Sequence, residues 1–220
     1  MALLDNRDLA SRELALKDGV LKTNGALVSM SVPNGWSAKM LASGNPPGMP
    51  PETLIILKKA DGLKISIGVY FSGIVYEEID GRIRKESLFD QQISMKAGTP
   101  EATALVGGEG ALANETKMGI LLLQAGRHGV QSDEKYCRAI KSTEFNDLKC
   151  VIYEFQNEST GTKAIEYCID VLGNGRIVYS LYYRAPIETF AENMDTAVEV
   201  FKSSVWRKDF DPYKAIEIVD

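Results

Sequence analysis

The chain has 220 residues, of which 45% are hydrophobic and 25% charged, with a formal net charge of -5 at pH 7. It is long enough to bury a sizeable core in one large domain or two small ones, and too hydrophobic for intrinsic disorder. The acidic balance argues against a nucleic-acid partner, which needs a basic face.

No run of about 18 apolar residues is present, so the sequence offers no membrane-spanning helix. The stretch Ile120-Leu121-Leu122-Leu123 is strand-sized. The N-terminus, MetAlaLeuLeuAspAsnArgAsp, lacks the basic start and apolar run of a signal peptide. The expected compartment is cytoplasmic if the chain is complete as given, and periplasmic or envelope-associated if a signal was trimmed. Three cysteines, Cys137, Cys150 and Cys168, form no C-x-x-C pair. Their odd number argues against a full disulfide framework, and the spacing against a redox motif or zinc ribbon.

In chain order, residues 1–24 are polar and mixed in charge, with Leu9, Leu14 and Leu16 sparse, and read as an arm with one short helix. AlaLeuValSerMetSerVal (26–32) is a strand stopped by Pro33-Asn34-Gly35, with Trp36 following. The Pro-rich segment 43–51 is a loop, because it cannot donate a regular ladder of hydrogen bonds. GluThrLeuIleIleLeuLys (52–58) and LeuLysIleSerIleGlyValTyrPhe (63–71) flank Asp61-Gly62. In the second, Leu63, Ile65, Ile67, Val69 and Phe71 alternate with less apolar residues, so the pair reads as a hairpin. The spacing of Leu88, Phe89, Gln92, Ile93 and Met95 predicts a helix over 85–96, ended by Gly98-Thr99-Pro100. Residues 117–125 read as a buried strand, and Tyr136, Arg138 and Ile140 alternate as an edge-like one.

From Lys149 onward the pattern is dense. LysCysValIleTyrGluPhe (149–155) and AlaIleGluTyrCysIleAspValLeu (164–172) flank Glu158-Ser159-Thr160-Gly161, and a Gly173-Asn174-Gly175 turn leads into IleValTyrSerLeuTyrTyr (177–183). An antiparallel meander over 149–157, 162–172 and 176–184 is the expectation. Val151, Tyr153 and Phe155 share one parity, as do Ile165, Tyr167, Ile169 and Val171, and then Ile177, Tyr179, Leu181 and Tyr183. The three sets together predict one continuous apolar face. On that parity Cys150 and Cys168 share the opposite face, near each other without a disulfide. Pro186 opens an amphipathic helix near 187–204. Ile187, Phe190, Met194, Ala197, Val198, Phe201 and Val205 fall at helical steps, and Glu188, Glu192, Asp195, Glu199 and Lys202 lie opposite. Phe190, Met194, Val198 and Phe201 are the expected packing residues.

The strand Val28-Ser29-Met30-Ser31-Val32-Pro33-Asn34-Gly35-Trp36 resembles the opening of PsbP-like proteins. So does the finish, Tyr179-Ser180-Leu181-Tyr182-Tyr183, Pro186, Phe190, then Phe201-Lys202-Ser203-Ser204-Val205. In that superfamily an antiparallel sheet lies between helices; its members include photosystem extrinsic subunits, DcrB-like envelope proteins, secretion-effector chaperones and a Ran-binding nuclear factor. The resemblance covers mainly 26–72 and 149–206. It implies an α+β fold of the α/β/α sandwich type and a tendency toward non-enzymatic binding or assembly. No linker or repeat divides the chain, so a single domain is expected over 1–220, with an N-terminal arm 1–24, an α+β core 25–206 and a C-terminal tail 207–220.

Catalytic groupings are sparse. His128 is the only histidine, set between Gly126 and Gly129, and any Ser/His or Cys/His activation would run through it. A solvated turn histidine is the plainer reading. Gly108-Glu109-Gly110-Ala111-Leu112-Ala113 fits the dinucleotide spacing but leads to a strand-like run rather than a helix, and Glu109 repels phosphate. Glu77-Glu78 with Asp80 is a compact acidic loop without the calcium-loop order. Asp133-Glu134 are neighbours in sequence only. Tyr182 and Tyr70 lie off the apolar parity, either facing outward or buried under a second helix such as 85–96. No catalytic, cofactor-binding or metal-ligating residue is nominated, and no cofactor is implied. The expected function is a binding or assembly protein acting on a protein or small-molecule partner. The competing reading is a hydrolase or isomerase whose carboxylates converge only in three dimensions.

Overall fold

A computed structural model of the chain describes residues 10–14, 16, 18–42, 53–59, 66–72, 77–79, 82–84, 89, 94–96, 137–175 and 178–211. The C-terminal meander forms in the predicted order. Strands β11 (Leu148–Asn157), β12 (Thr162–Ile169) and β13 (Val178–Pro186) pair antiparallel and run into helix α1 (Ile187–Lys202). On their outer sides lie β10 (Cys137–Phe145) with β9 (Ser94–Lys96), and β6 (Ser66–Ser72), β5 (Thr53–Lys59), β4 (Trp36–Ala42) and β1 (Ala10–Leu14). The result is one nine-stranded antiparallel sheet in the order β1-β4-β5-β6-β13-β12-β11-β10-β9. A three-stranded sheet joins β2 (Val20–Lys22), β3 (Leu27–Ser31) and β14 (Val205–Trp206), and β7 (Glu77–Ile79) pairs with β8 (Arg82–Arg84). The fold is α+β, with one helix among the described residues.

The turns explain the strand order. Pro33-Asn34-Gly35-Trp36 is a reverse turn closed by the Trp36 N–H donating to the Pro33 carbonyl at 3.1 Å, with Gly35 at φ 78°. A residue with a Cβ is strained there, which is why glycine precedes the tryptophan. The turn ends β3 and starts β4 in a different sheet. Asn146 and Asp147, both left-handed at φ 49° and 59°, join β10 to β11 in a two-residue hairpin that the sequence reading does not anticipate. The Asn146 amide also donates to the carbonyls of Lys202 and Ser204, each at 3.2 Å. Carbonyls at the helix C-terminus thus gain partners they lack within the helix.

The described part of 1–24 is strand rather than helix. Leu14 and Leu21 are buried, and short strands place them in the core without the second apolar stripe a helix needs. The helix expected over 85–96 gives way at its end, where Ser94–Lys96 pairs with Lys141, Ile140 and Ala139. Cross-strand pairing overrides the helical spacing there. That pairing also takes β10 off the edge, correcting the edge-like reading of 136–140. Glu77 and Glu78 belong to a hairpin strand, with Arg84 opposite Glu77, rather than to a loop. The predicted strand at 117–125 lies outside the described residues.

The predicted single apolar face is divided between the two sides of the sheet. Asn157 pairs with Thr162 across the four-residue loop Glu158-Ser159-Thr160-Gly161, so Val151 lies opposite Cys168 and Tyr153 opposite Glu166. Asn157 Oδ1 accepts from Ser159 Oγ at 2.7 Å and the Thr160 N–H at 3.2 Å, and Gly161 takes φ 61°. A three-residue loop would have aligned the parities. One more residue turns every side chain of the partner strand to the other face. Cys150 and Cys168 therefore lie on opposite faces, correcting the expectation that they share one; both are free and buried.

On the first face, Ile165, Ile169, Tyr179, Leu181 and Tyr183 join Cys150, Leu148, Phe145, Ile55, Leu57 and Ala38 in the main core. Helix α1 seals it with Phe190, Ala197, Val200 and Phe201, and Met194 packs at its margin. Val200 takes the place expected of Val198, which is half-buried, and Val205 is exposed. The helix start is pinned by Phe190, whose carbonyl accepts from the Tyr183 hydroxyl at 3.0 Å, while the Lys163 ammonium lies 4.9 Å from its ring centre. Further along, Phe201 meets Tyr167 edge-on at 5.2 Å, and Tyr167 meets Phe145 at the same distance. The first residue of the predicted tail is tied in as well, since the Arg207 N–H donates to Ala26 O at 2.8 Å.

Candidate functional site

The second face of the sheet carries the most unusual chemistry. In one row across seven strands lie Ile56, Gly68, Tyr182, Glu166, Tyr153, Ile140 and Met95, with Glu166 on β12 near the middle. The adjoining row brings Val151, Cys168 and Ser180 together. Val151, Tyr153, Phe155, Ala164, Cys168 and Ile140 are all buried, so both faces of the sheet are shielded from water. Tyr153 and Phe155 stack at 6.0 Å. Tyr182, left between two readings, is half-buried on this face.

Alternation places Glu166 here. Ile165, Tyr167 and Ile169 claim the first face, so the residues between them point to the second. Glu166 is 1% exposed and Ser180 fully buried. The Ser180 hydroxyl donates to Glu166 Oε1, and the Cys168 thiol bonds to the same carboxyl. These bonds favour the ionised form, yet loss of hydration outweighs them and pushes the carboxyl up to about 8, so it is neutral at pH 7. The Cys168 thiol is pushed well up by burial and then by Glu166, and burial alone raises Cys150. Neither supplies a thiolate nucleophile at neutral pH.

A second acidic group sits at the turn after β12. Asp170 is 4% exposed, and its carboxylate oxygens accept the Gly175 N–H at 3.2 and 3.1 Å. Desolvation raises its pKa, and hydrogen bonds from the Gly175, Asn174 and Gly173 amides pull it back. Gly173 and Gly175, at φ 64° and 61°, let the loop curl around the carboxylate. The loop already uses Asp170 as its own anion.

Of the residues considered for chemistry in the sequence, Cys168 and Tyr182 join this cluster. His128, Gly108, Glu109, Gly110, Ala113, Asp133 and Glu134 lie outside the described residues, as does Asp80. Glu77 and Glu78 are in the separate β7–β8 hairpin. Among the described residues no three His, Cys, Asp or Glu side chains gather as a metal site, and no helix is long and apolar enough to cross a membrane. Glu166 escaped notice because polar residues alternating with apolar ones read as a solvent face. The signals against that reading were Ala164, Cys168 and Ser180 beside it, all small and of types that tolerate burial.

Among solved structures, the chain is similar to the solution structure of cyanobacterial PsbP (CyanoP) from Synechocystis sp. PCC 6803. Identity is 10% and the TM-score 0.42, with 94% of this chain and 97% of that chain covered. No protein-family model matches the chain, and no curated protein matches it in sequence.

Proposed function

We propose that the chain is a non-enzymatic binding or assembly protein acting on a protein or small-molecule partner. The observation that carries this reading is the use made of Glu166. Among the described residues it is a carboxyl that burial pushes up to about 8, into the range suited to general acid–base work. At 1% exposure, bonded to Ser180 and Cys168, it is committed to holding two strands together. Asp170 is likewise committed to its own loop. Burial on both sheet faces supports two further parts of the proposal: a layer over each face, in the manner of an α/β/α sandwich, and a single domain over 1–220. Among the described residues, what this leaves for function is surface carried on the sheet.

The test pairs capture with turnover. Cross-linking pull-down from extract of the native host should identify a partner, which must then bind the purified protein saturably at a defined stoichiometry. Hydrolase and isomerase assays of the purified protein should show no turnover. Turnover that disappears in Glu166→Gln at an unchanged melting temperature would replace this reading with the enzymatic one.

A further inference from the structure

We infer that Glu166 is a proton-dependent latch between β12 and β13, tightening the central sheet when its carboxyl is neutral and loosening it when the carboxyl ionises. The inference rests first on position. Glu166 lies on a central strand, and both neighbouring strands place a tyrosine directly opposite it, Tyr153 on β11 and Tyr182 on β13. Ionisation there puts a charge where hydration has been stripped away, at a free-energy cost that hydrogen bonds only partly offset. The latch is the burial of this carboxyl between β11 and β13 at 1% exposure; the bonds from Ser180 on β13 and Cys168 on its own strand favour the ionised form and offset only part of that cost.

The other charged and titratable groups of the described residues on this face sit on known strands. They are Lys149 and Tyr153 on β11, Cys168 and, just past its end, Asp170 on β12, Tyr182 and Arg184 on β13, Glu144 on β10, Lys58 on β5, Lys39 on β4 and Glu13 on β1. Tyr70 on β6 is at the register position opposite Ser180. Arg184 is half-buried and donates to Thr162 Oγ1 at 3.5 Å. Lys149 lies beside Asp170, whose pKa it lowers.

The sign follows from linkage. Burial pushes the carboxyl up to about 8 in the folded chain, from the ordinary glutamate value of 4.5 that holds when it is unfolded. Between those values the native chain holds one more proton than the unfolded chain, so stability falls as pH rises. The contribution is complete below the unfolded value and is lost as pH climbs through the folded one. The unfolding constant should therefore rise on the order of a few hundred-fold between about pH 5 and pH 8 from this group alone.

Urea unfolding of the full chain across that range, wild type against Glu166→Gln, reads the effect. The amide keeps the shape and a neutral acceptor for Ser180 but cannot ionise. The wild-type curve should fall with pH and the variant should lose most of that fall; parallel curves would overturn the inference. If the variant does not fold, infrared titration of wild-type protein carrying isotope-labelled glutamate decides alone. A neutral carboxyl band present at pH 6 and lost with a midpoint near 8 supports the latch, and its absence at pH 6 refutes it.

Discussion

Replacing Phe201 by Ala tests the side of the sheet on which the helix packs and the residues by which it does so. Phe201, on α1, is fully buried in the core it shares with Tyr179, Leu181 and Tyr183, and its ring meets Tyr167 edge-on at 5.2 Å. Truncating a buried Phe costs about 3–5 kcal/mol, the transfer of the ring plus the cavity left behind. The contact with Tyr167, itself braced by Phe145, adds on the order of 0.5–1.5 kcal/mol beyond area. A loss of about 4 kcal/mol is expected, a large share of the roughly 5–15 kcal/mol that holds a domain folded. Equilibrium urea unfolding followed by far-ultraviolet circular dichroism measures it. With a slope of roughly 2–3 kcal/mol/M the midpoint should drop by about 1.3–2 M. Val200→Ala and Val198→Ala supply the internal control, because the first is 3% exposed and the second half-buried. Val200→Ala should cost more. A Phe201→Ala loss below about 1 kcal/mol, or the reverse order of the two valines, would refute the packing derived for this face.

Gly19→Ala should destabilise by about 1–2 kcal/mol, since Gly19 is left-handed at φ 69° and a Cβ would stand 3.3 Å from the Val32 carbonyl; an unchanged thermal midpoint counts against that geometry. Asp170→Ala leaves loop amides without their acceptor and should cost about 1–3 kcal/mol, with faster amide exchange at Gly175 as the local readout. Protection unchanged at Gly175 would argue that the loop folds without the carboxylate. Cys150 and Cys168 should stay unmodified by a thiol reagent in the native state at neutral pH and become alkylated singly on unfolding without reductant, as mapped by peptide mass. A peptide carrying Cys150 bridged to Cys168 would overturn the register of β11 on β12.

Much of the C-terminal half was legible because local signals agreed with one another. Glycine-rich turns, strand-length apolar runs and the 3.6-residue spacing from Phe190 to Phe201 all point to a meander closed by a helix. Strand faces were less legible. Parity assigns side chains to two sets within a strand, but only the loop says which set meets which set on the next strand. Matching the apolar parities makes Glu158 to Gly161 read as a turn of odd length, and the Asn157 side-chain bonds that select four residues depend on the folded geometry. Strands β1 and β2 are hard to read for another reason, whereas β3, β5 and β6 form where the apolar runs of 26–32, 52–58 and 63–71 predict them. Leu14 and Leu21 are single apolar residues among polar ones, and pairing with β4 and β3 makes them strands where local periodicity alone is weak.

The loop that misled the parity argument also explains the buried acid. With an odd loop, Val151, Tyr153 and Phe155 would have added to the face that α1 covers, leaving Glu166, Cys168 and Asp170 opposite Ile152 and Glu154. Two carboxylates, Glu154 and Glu166, would then have shared a face, and solvent would have been their natural environment. The even loop gives Glu166 the aromatic neighbour Tyr153 and gives Glu154 to the other side. A polar residue is thereby set beside apolar ones in the interior, where neutralisation by a proton is the least costly state. The proton-dependent latch is in this sense a consequence of register: a variant that shortens the loop by one residue and still folds should return Glu166 to water and abolish its part of the pH dependence.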